Sequence, residues 1–267
     1  MSTKPWTGGE GPAQQGPAGL LDLLRRRTSA KGRAGSKVDP PGAVLFDLDG
    51  LLVDSEPLWT IAEERVAAQL GGIFTPELKA RMIGKRLDLA VGILLEGLDT
   101  PGARAADPAD VGERLMTEMT ALLASDVPLQ PGAAALLDAL AAERVPLALV
   151  SSSFRRLVDA ALVAVGAHRF AVSIAGDEVQ HGKPDPEPYL TAAQALRVVP
   201  ARCVVLEDAP AGLASAITAG CACVYVPTFA PADPLPDRAV VRKSLLDVDL
   251  DLLGRLAVHP ATTRPRS

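Results

Sequence analysis

Five short apolar runs, four of them leading into polar groups, constrain this chain more than any other feature. They are Ala43-Val44-Leu45-Phe46, Leu147-Ala148-Leu149-Val150, Val172-Ser173-Ile174, Cys203-Val204-Val205-Leu206 and Cys223-Val224-Tyr225-Val226. Each is continuous and apolar and too short for a helix, which is how a strand buried on both faces reads. Helical patterns at 132–143, 154–165, 186–197 and 210–219 fall after or between these runs. Strand and helix in alternation predict a parallel sheet covered by helices on both sides.

The alternation breaks once. Residues 57–129 hold helical patterns near 58–70, 77–82, 87–96 and 108–124 with no strand between them. The predicted architecture is therefore a Rossmann-like three-layer α/β/α core, residues 43–56 and 130–257, interrupted by a helical cap at 57–129. The cap would lie over the carboxyl edge of the sheet, where open α/β sheets bind ligands. Residues 1–42 are rich in Gly, Pro, Ser and Ala and are expected to form a disordered tail, with 258–267 as a second one.

Charge and cysteine usage narrow the class. The net charge is −5, and residues 1–42 carry seven Lys/Arg against three Asp/Glu, so the acidic balance lies in the remainder. That argues against a nucleic-acid partner. No apolar stretch approaches the roughly 20 residues of a membrane span, and the start lacks the apolar run of a secretion signal. The three cysteines, Cys203, Cys221 and Cys223, have no framework spacing. A cytoplasmic monomer is expected.

The ends of the runs carry the chemistry. The first leads into Asp47-Leu48-Asp49-Gly50, the second into Ser151-Ser152-Ser153, and the fourth into Glu207-Asp208. The third is followed by His181-Gly182-Lys183-Pro184. In a parallel sheet these ends share one edge, so carboxylates, hydroxyls and an ammonium converge. Crowded carboxylates repel unless a cation sits among them, and oxygen donors favour a hard ion such as Mg²⁺. A lysine and a serine add donors for a phosphoryl group. One carboxylate is then free to attack phosphorus and another to move a proton.

The tract Phe46-Asp47-Leu48-Asp49-Gly50 through Pro57 resembles the first motif of the haloacid dehalogenase superfamily. Ser151, Lys183 and Glu207-Asp208 resemble its second, third and fourth motifs, in order. The tract Leu206–Leu213 is similar to the β-phosphoglucomutase-like group, which has an α-helical cap. The resemblance implies a phosphorylated small metabolite as substrate, Asp47 as nucleophile and magnesium ligand, and Asp49 as acid and base, its carbonyl also on the metal. It implies that Ser151, Ser152 and Lys183 hold phosphate oxygens. Gly50 would turn the chain and bring backbone N–H groups to the phosphate. Asp208 with Glu207 would complete the magnesium shell, and Arg86 in the cap would touch the rest of the substrate.

Within that superfamily, Asp49 and the Glu207-Asp208 pair favour phosphate over halide chemistry. Mutases of the group carry a histidine where this chain has Trp59, and Asp54–Trp59 resembles bacterial sugar- and sugar-alcohol-phosphate phosphatases. Phosphatase is the leading reading, phosphomutase the alternative, and a catalytically silent binding protein of the same fold the third.

Overall fold

Strand β1 (Ala43–Phe46) is buried along its whole length, with Val44 and Phe46 turned into one hydrophobic cluster and Ala43 and Leu45 into another. Successive strand side chains point to opposite faces, so a continuous apolar run demands cover on both. The computed structural model describes residues 38–83, 85–125, 127–227 and 234–258. β1 lies near the middle of a six-stranded parallel sheet, flanked by β2 (Leu147–Val150) and β4 (Cys203–Glu207). Outside these lie β3 (Val172–Ile174) on one side and β5 (Ala222–Tyr225) and β6 (Ala239–Val241) on the other, in the order β3-β2-β1-β4-β5-β6.

Five helices follow β1: α1 (Glu56–Gln69), α2 (Pro76–Met82), α3 (Leu87–Leu98), α4 (Pro101–Ala105) and α5 (Pro108–Leu123). Three of them start alike. Thr75, Thr100 and Asp107 each accept a hydrogen bond from a backbone N–H of the first turn, and each precedes a proline. The side chain satisfies a donor the helix leaves open, and proline lacks the N–H that would be orphaned there. No strand occurs among the described residues of this insertion, as expected.

The core resumes with α6 (Ala133–Ala142), α7 (Arg155–Val165), α8 (Glu187–Leu196), α9 (Pro210–Thr218) and α10 (Leu250–Val258). Residues of α6, α7 and α10 share the cluster of Val44 and Phe46, together with the apolar faces of α1, α3 and α5. Residues of α8 and α9 share the cluster of Leu45 on the opposite face. Gly42, expected in the tail, is instead stitched to the core, its N–H donating to Arg202 O at 2.9 Å. The segments 1–37 and 259–267, read as tails, lie outside the described residues. Two short elements were not anticipated: α4, five residues long, and β6, a half-buried edge strand between Arg238 and Arg242.

Candidate active site

Asp47 is the first residue past β1, and its N–H continues the sheet ladder to Leu206 O at 3.0 Å. The ladder fixes the backbone, so the carboxylate sits at the sheet edge with only 6% of the residue exposed. Lys183 Nζ donates to Asp47 Oδ1 at 2.6 Å, to Glu207 Oε1 at 2.6 Å and to Val150 O at 2.9 Å. One ammonium thus ties together the ends of β1, β2 and β4, with all three of its donors used.

The electrostatics follow from burial. Desolvation pushes the Asp47 carboxyl well above its ordinary value; Lys183 pulls it back, while Glu207, Asp208 and Asp49 push it further up. Desolvation works against the Lys183 ammonium, but Asp47 and Glu207 outweigh it and hold the lysine charged. The carboxylates outnumber the ammonium, and oxygens of Asp47, Glu207 and Asp208 lie within 4.8 Å of one another. Oxygen-only donors with surplus negative charge suit a hard divalent cation.

Glu207 does more than offer a ligand. Its Oε1 receives both Lys183 Nζ and the hydroxyl of Tyr189, the latter at 2.6 Å. Its Oε2 accepts from the N–H groups of Asp208 at 3.1 Å and Ala209 at 3.3 Å. With four donors on two oxygens, this carboxylate is built into the protein. Gly212 lies against it, where a β-carbon would collide with the carboxylate.

Asp49 is held by hydroxyls. Ser151 Oγ donates to Asp49 Oδ2 at 3.0 Å and Ser153 Oγ donates to the same oxygen at 2.9 Å, while Ser153 N–H donates to Ser151 Oγ at 2.9 Å. Ser151 does not cap α7: the residue at that position is Phe154, and Asp177 Oδ1 accepts from the Arg155 N–H. Gly50 adopts φ 86°, and a β-carbon there would strike the Asp208 carboxylate. Its own N–H is engaged inside the loop, by Val53 O at 2.8 Å. What Gly50 gives the site is the turn and the room for Asp208.

A cavity of about 1020 Å³ opens between the insertion and the core. Lys183 and Ser152 line it from the core, and Arg86 lines it from the start of α3. Arg86 is 86% exposed, 3.5 Å from Asp88. Trp59 is half-buried against the main hydrophobic cluster. The structure therefore gathers Asp47, Lys183, Glu207 and Asp208, sets Asp49 beside them with Ser151, and leaves Ser152 and Arg86 on the cavity wall. Tyr189 and Ser153 join them without having been singled out by sequence. Tyr189 reads there as one more apolar position of a helix, and Ser153 as a neighbour of the motif serine.

Comparison with known proteins settles the family. The model of the haloacid dehalogenase-like hydrolases matches residues 41–220. The chain belongs to that family. Among curated relatives, the phosphorylated carbohydrates phosphatase of Thermotoga maritima is 35% identical over 68% of this chain and 83% of its own length. Hexitol phosphatase A of Escherichia coli is 36% identical over 71% of this chain and 83% of its own. Among solved structures, CbbY of Rhodobacter sphaeroides in complex with phosphate superposes with a TM-score of 0.67 at 27% identity, covering 78% of this chain and 96% of that one. The haloacid dehalogenase-like fold thus accounts for the six-stranded parallel sheet and its helical layers. Among the described residues no helix is long and apolar enough to cross a membrane.

Proposed function

We propose that this haloacid dehalogenase-like hydrolase is a Mg²⁺-dependent phosphatase of sugar or polyol phosphates that works through an aspartyl-phosphate on Asp47. The observation that carries the reading is the pairing of two aspartates in different settings. Asp47 is buried and ion-paired with Lys183, whereas Asp49, two residues on, is held by two serine hydroxyls. Two carboxylates in unlike environments are what a nucleophile and a proton carrier require. The phosphatase names of the two curated relatives support the substrate class.

In the first step an Asp47 carboxylate oxygen attacks phosphorus, and the bond from phosphorus to the substrate oxygen breaks. Asp49 gives its proton to the departing alkoxide. In the second step Asp49 takes a proton from water, whose oxygen attacks phosphorus and frees Asp47. Lys183, fixed by Glu207 and Val150, balances charge on Asp47 and on the transferring group. Asp47 and Asp208 would hold Mg²⁺, which when bound supplies positive charge to phosphoryl oxygens. Glu207, already occupied by four donors, acts on Lys183 more than on the metal.

The helices α1 to α5 act in this reading as a cap over the sheet edge, with domain limits near 57 and 129. Trp59, packed against the hydrophobic cluster, brings no proton-accepting group of its own to the start of the cap, which favours water over a sugar as acceptor. The buried free thiols of Cys203, Cys221 and Cys223 suit a reducing cytoplasm. The deciding experiment is a phosphate-release screen across sugar and polyol phosphates, with Mg²⁺ or with EDTA. Release that needs Mg²⁺ and vanishes in Asp47→Asn supports the assignment; release unchanged in that variant defeats it.

A further inference from the structure

The cavity is lined by both apolar and polar side chains. Phe154, at the start of α7, lines the core side and is 45% exposed, in a chain with only five phenylalanines. Leu87, Val91 and Met116 line the insertion side. Charged and amide groups, Arg86 and Gln180 among them, also line the cavity. A lining that offers both apolar surface and polar groups distinguishes between ligand shapes. A pyranose or cyclitol has C–H faces and hydroxyl edges, so it can lie against an aromatic ring while its edges hydrogen-bond. An open-chain polyol carries hydroxyls on all sides and has no face to offer. The cavity, at about 1020 Å³, is at the top of the range of about 300–1,000 Å³ common for small-molecule sites, which leaves room for a ring beyond the phosphate.

We propose that Phe154 is a specificity-determining platform and that the preferred substrates are phosphate monoesters of ring alcohols rather than of open-chain polyols. The proposal rests on the phosphatase reading. The helix that begins beside Phe154 contacts the insertion across the cavity. Arg156 forms an ion pair with Glu113 and donates to Thr117 Oγ1 at 3.0 Å. These contacts join the start of α7 to the facing helix α5.

Glucose 6-phosphate and sorbitol 6-phosphate form a matched pair, with the same carbon count and the same phosphate position, one cyclic and one open. The full chain with Mg²⁺ is expected to favour glucose 6-phosphate in kcat/KM by about tenfold. Phe154→Ala should remove that preference through KM for the cyclic ester, leaving sorbitol 6-phosphate turnover within about twofold; Phe154→Trp should retain it. Equal or reversed preference in the unaltered chain overturns the proposal, as does an equal loss on both esters in Phe154→Ala. A thermal melt of each variant, with Phe154→Leu as a packing control, separates a folding defect from a lost platform. Absence of phosphate release from every phosphate ester tested, and from the acyl phosphate acetyl phosphate, would defeat the phosphatase reading itself. Release without ring preference defeats this inference alone.

Discussion

The hydroxyl of Tyr189 donates to Glu207 Oε1 at 2.6 Å, onto the same oxygen that receives the ammonium of Lys183. The ring of Tyr189 also stands 5.0 Å from Lys183 Nζ, within reach of a cation–π contact. Burial, then the charges of Glu207 and Asp47, hold the phenol well above its usual range, so it remains a neutral donor at working pH. Tyr189→Phe keeps the ring and removes the hydrogen bond. The expected result is a loss of about 1 kcal/mol of stability in urea titrations, with kcat lowered about fivefold to tenfold and KM little changed.

Gly212 and Gly92 make a matched test of the Glu207 site. A β-carbon at Gly212 meets the Glu207 carboxylate, whereas one at Gly92 meets nothing within 4 Å. Gly212→Ala should therefore displace Glu207 from Lys183 and lower kcat/KM by more than about tenfold. Gly92→Ala, on an exposed face of α3, should leave turnover unchanged and raise stability by up to about 1 kcal/mol.

Asp47→Asn should abolish turnover and also change how stability follows pH. The Asp47 carboxyl is raised in the folded protein, chiefly by burial, so the folded state favours its protonated form. Its contribution is fully present below the unfolded value, about 3.9, and is lost as pH climbs through the raised folded value. Without divalent cation the Asp47→Asn variant should melt at or above the unaltered chain at pH 7, with the gap closing toward acid. Added MgCl₂ should raise the melting temperature of the unaltered chain more than that of the variant. Scanning fluorimetry across pH, in EDTA and in MgCl₂, reads both effects.

Lys79 bridges two acids of α1, Glu56 Oε1 at 2.7 Å and Glu63 Oε2 at 2.8 Å. Glu63 is buried, and that burial raises its carboxyl while Lys79 lowers it. Lys79→Met leaves Glu63 without this cation and should cost about 3 kcal/mol in urea titrations. Adding Glu63→Leu to the same chain should recover most of the loss, because a buried pair replaced by apolar groups is often neutral.

The strand ends were legible because topology alone places them. A run such as Ala43–Phe46 has to be a central strand, and the residue after it has to emerge at the sheet edge, which brings Asp47, Ser151, Glu207 and Asp208 together. What the sequence could not convey is which oxygen meets which donor. Glu207 reads as a metal ligand beside Asp208, yet four donors already occupy it, and one of them, Tyr189, comes from a helix whose pattern announces only burial. Ser153 is hidden for a similar reason: three adjacent serines read alike until the backbone turn selects two for Asp49. The edge strand β6 escaped because three half-exposed residues between arginines lack the signal that a buried run provides.

The central place of β1 carries a consequence for how the molecule is made. Val44 pairs with Leu147 on one side and Val204 on the other, partners about 100 and 160 residues further along. Such distant pairings are entropically slow to form, because a long loop must close before any contact rewards it. During synthesis the acidic loop after β1 emerges well before Lys183, the cation that partners it. The insertion between them can assemble its own helices locally in the interval, but the centre that tolerates those clustered carboxylates exists only once β4 has been threaded beside β1. The candidate site is thus completed late, although Asp47 follows the first strand of the sheet directly.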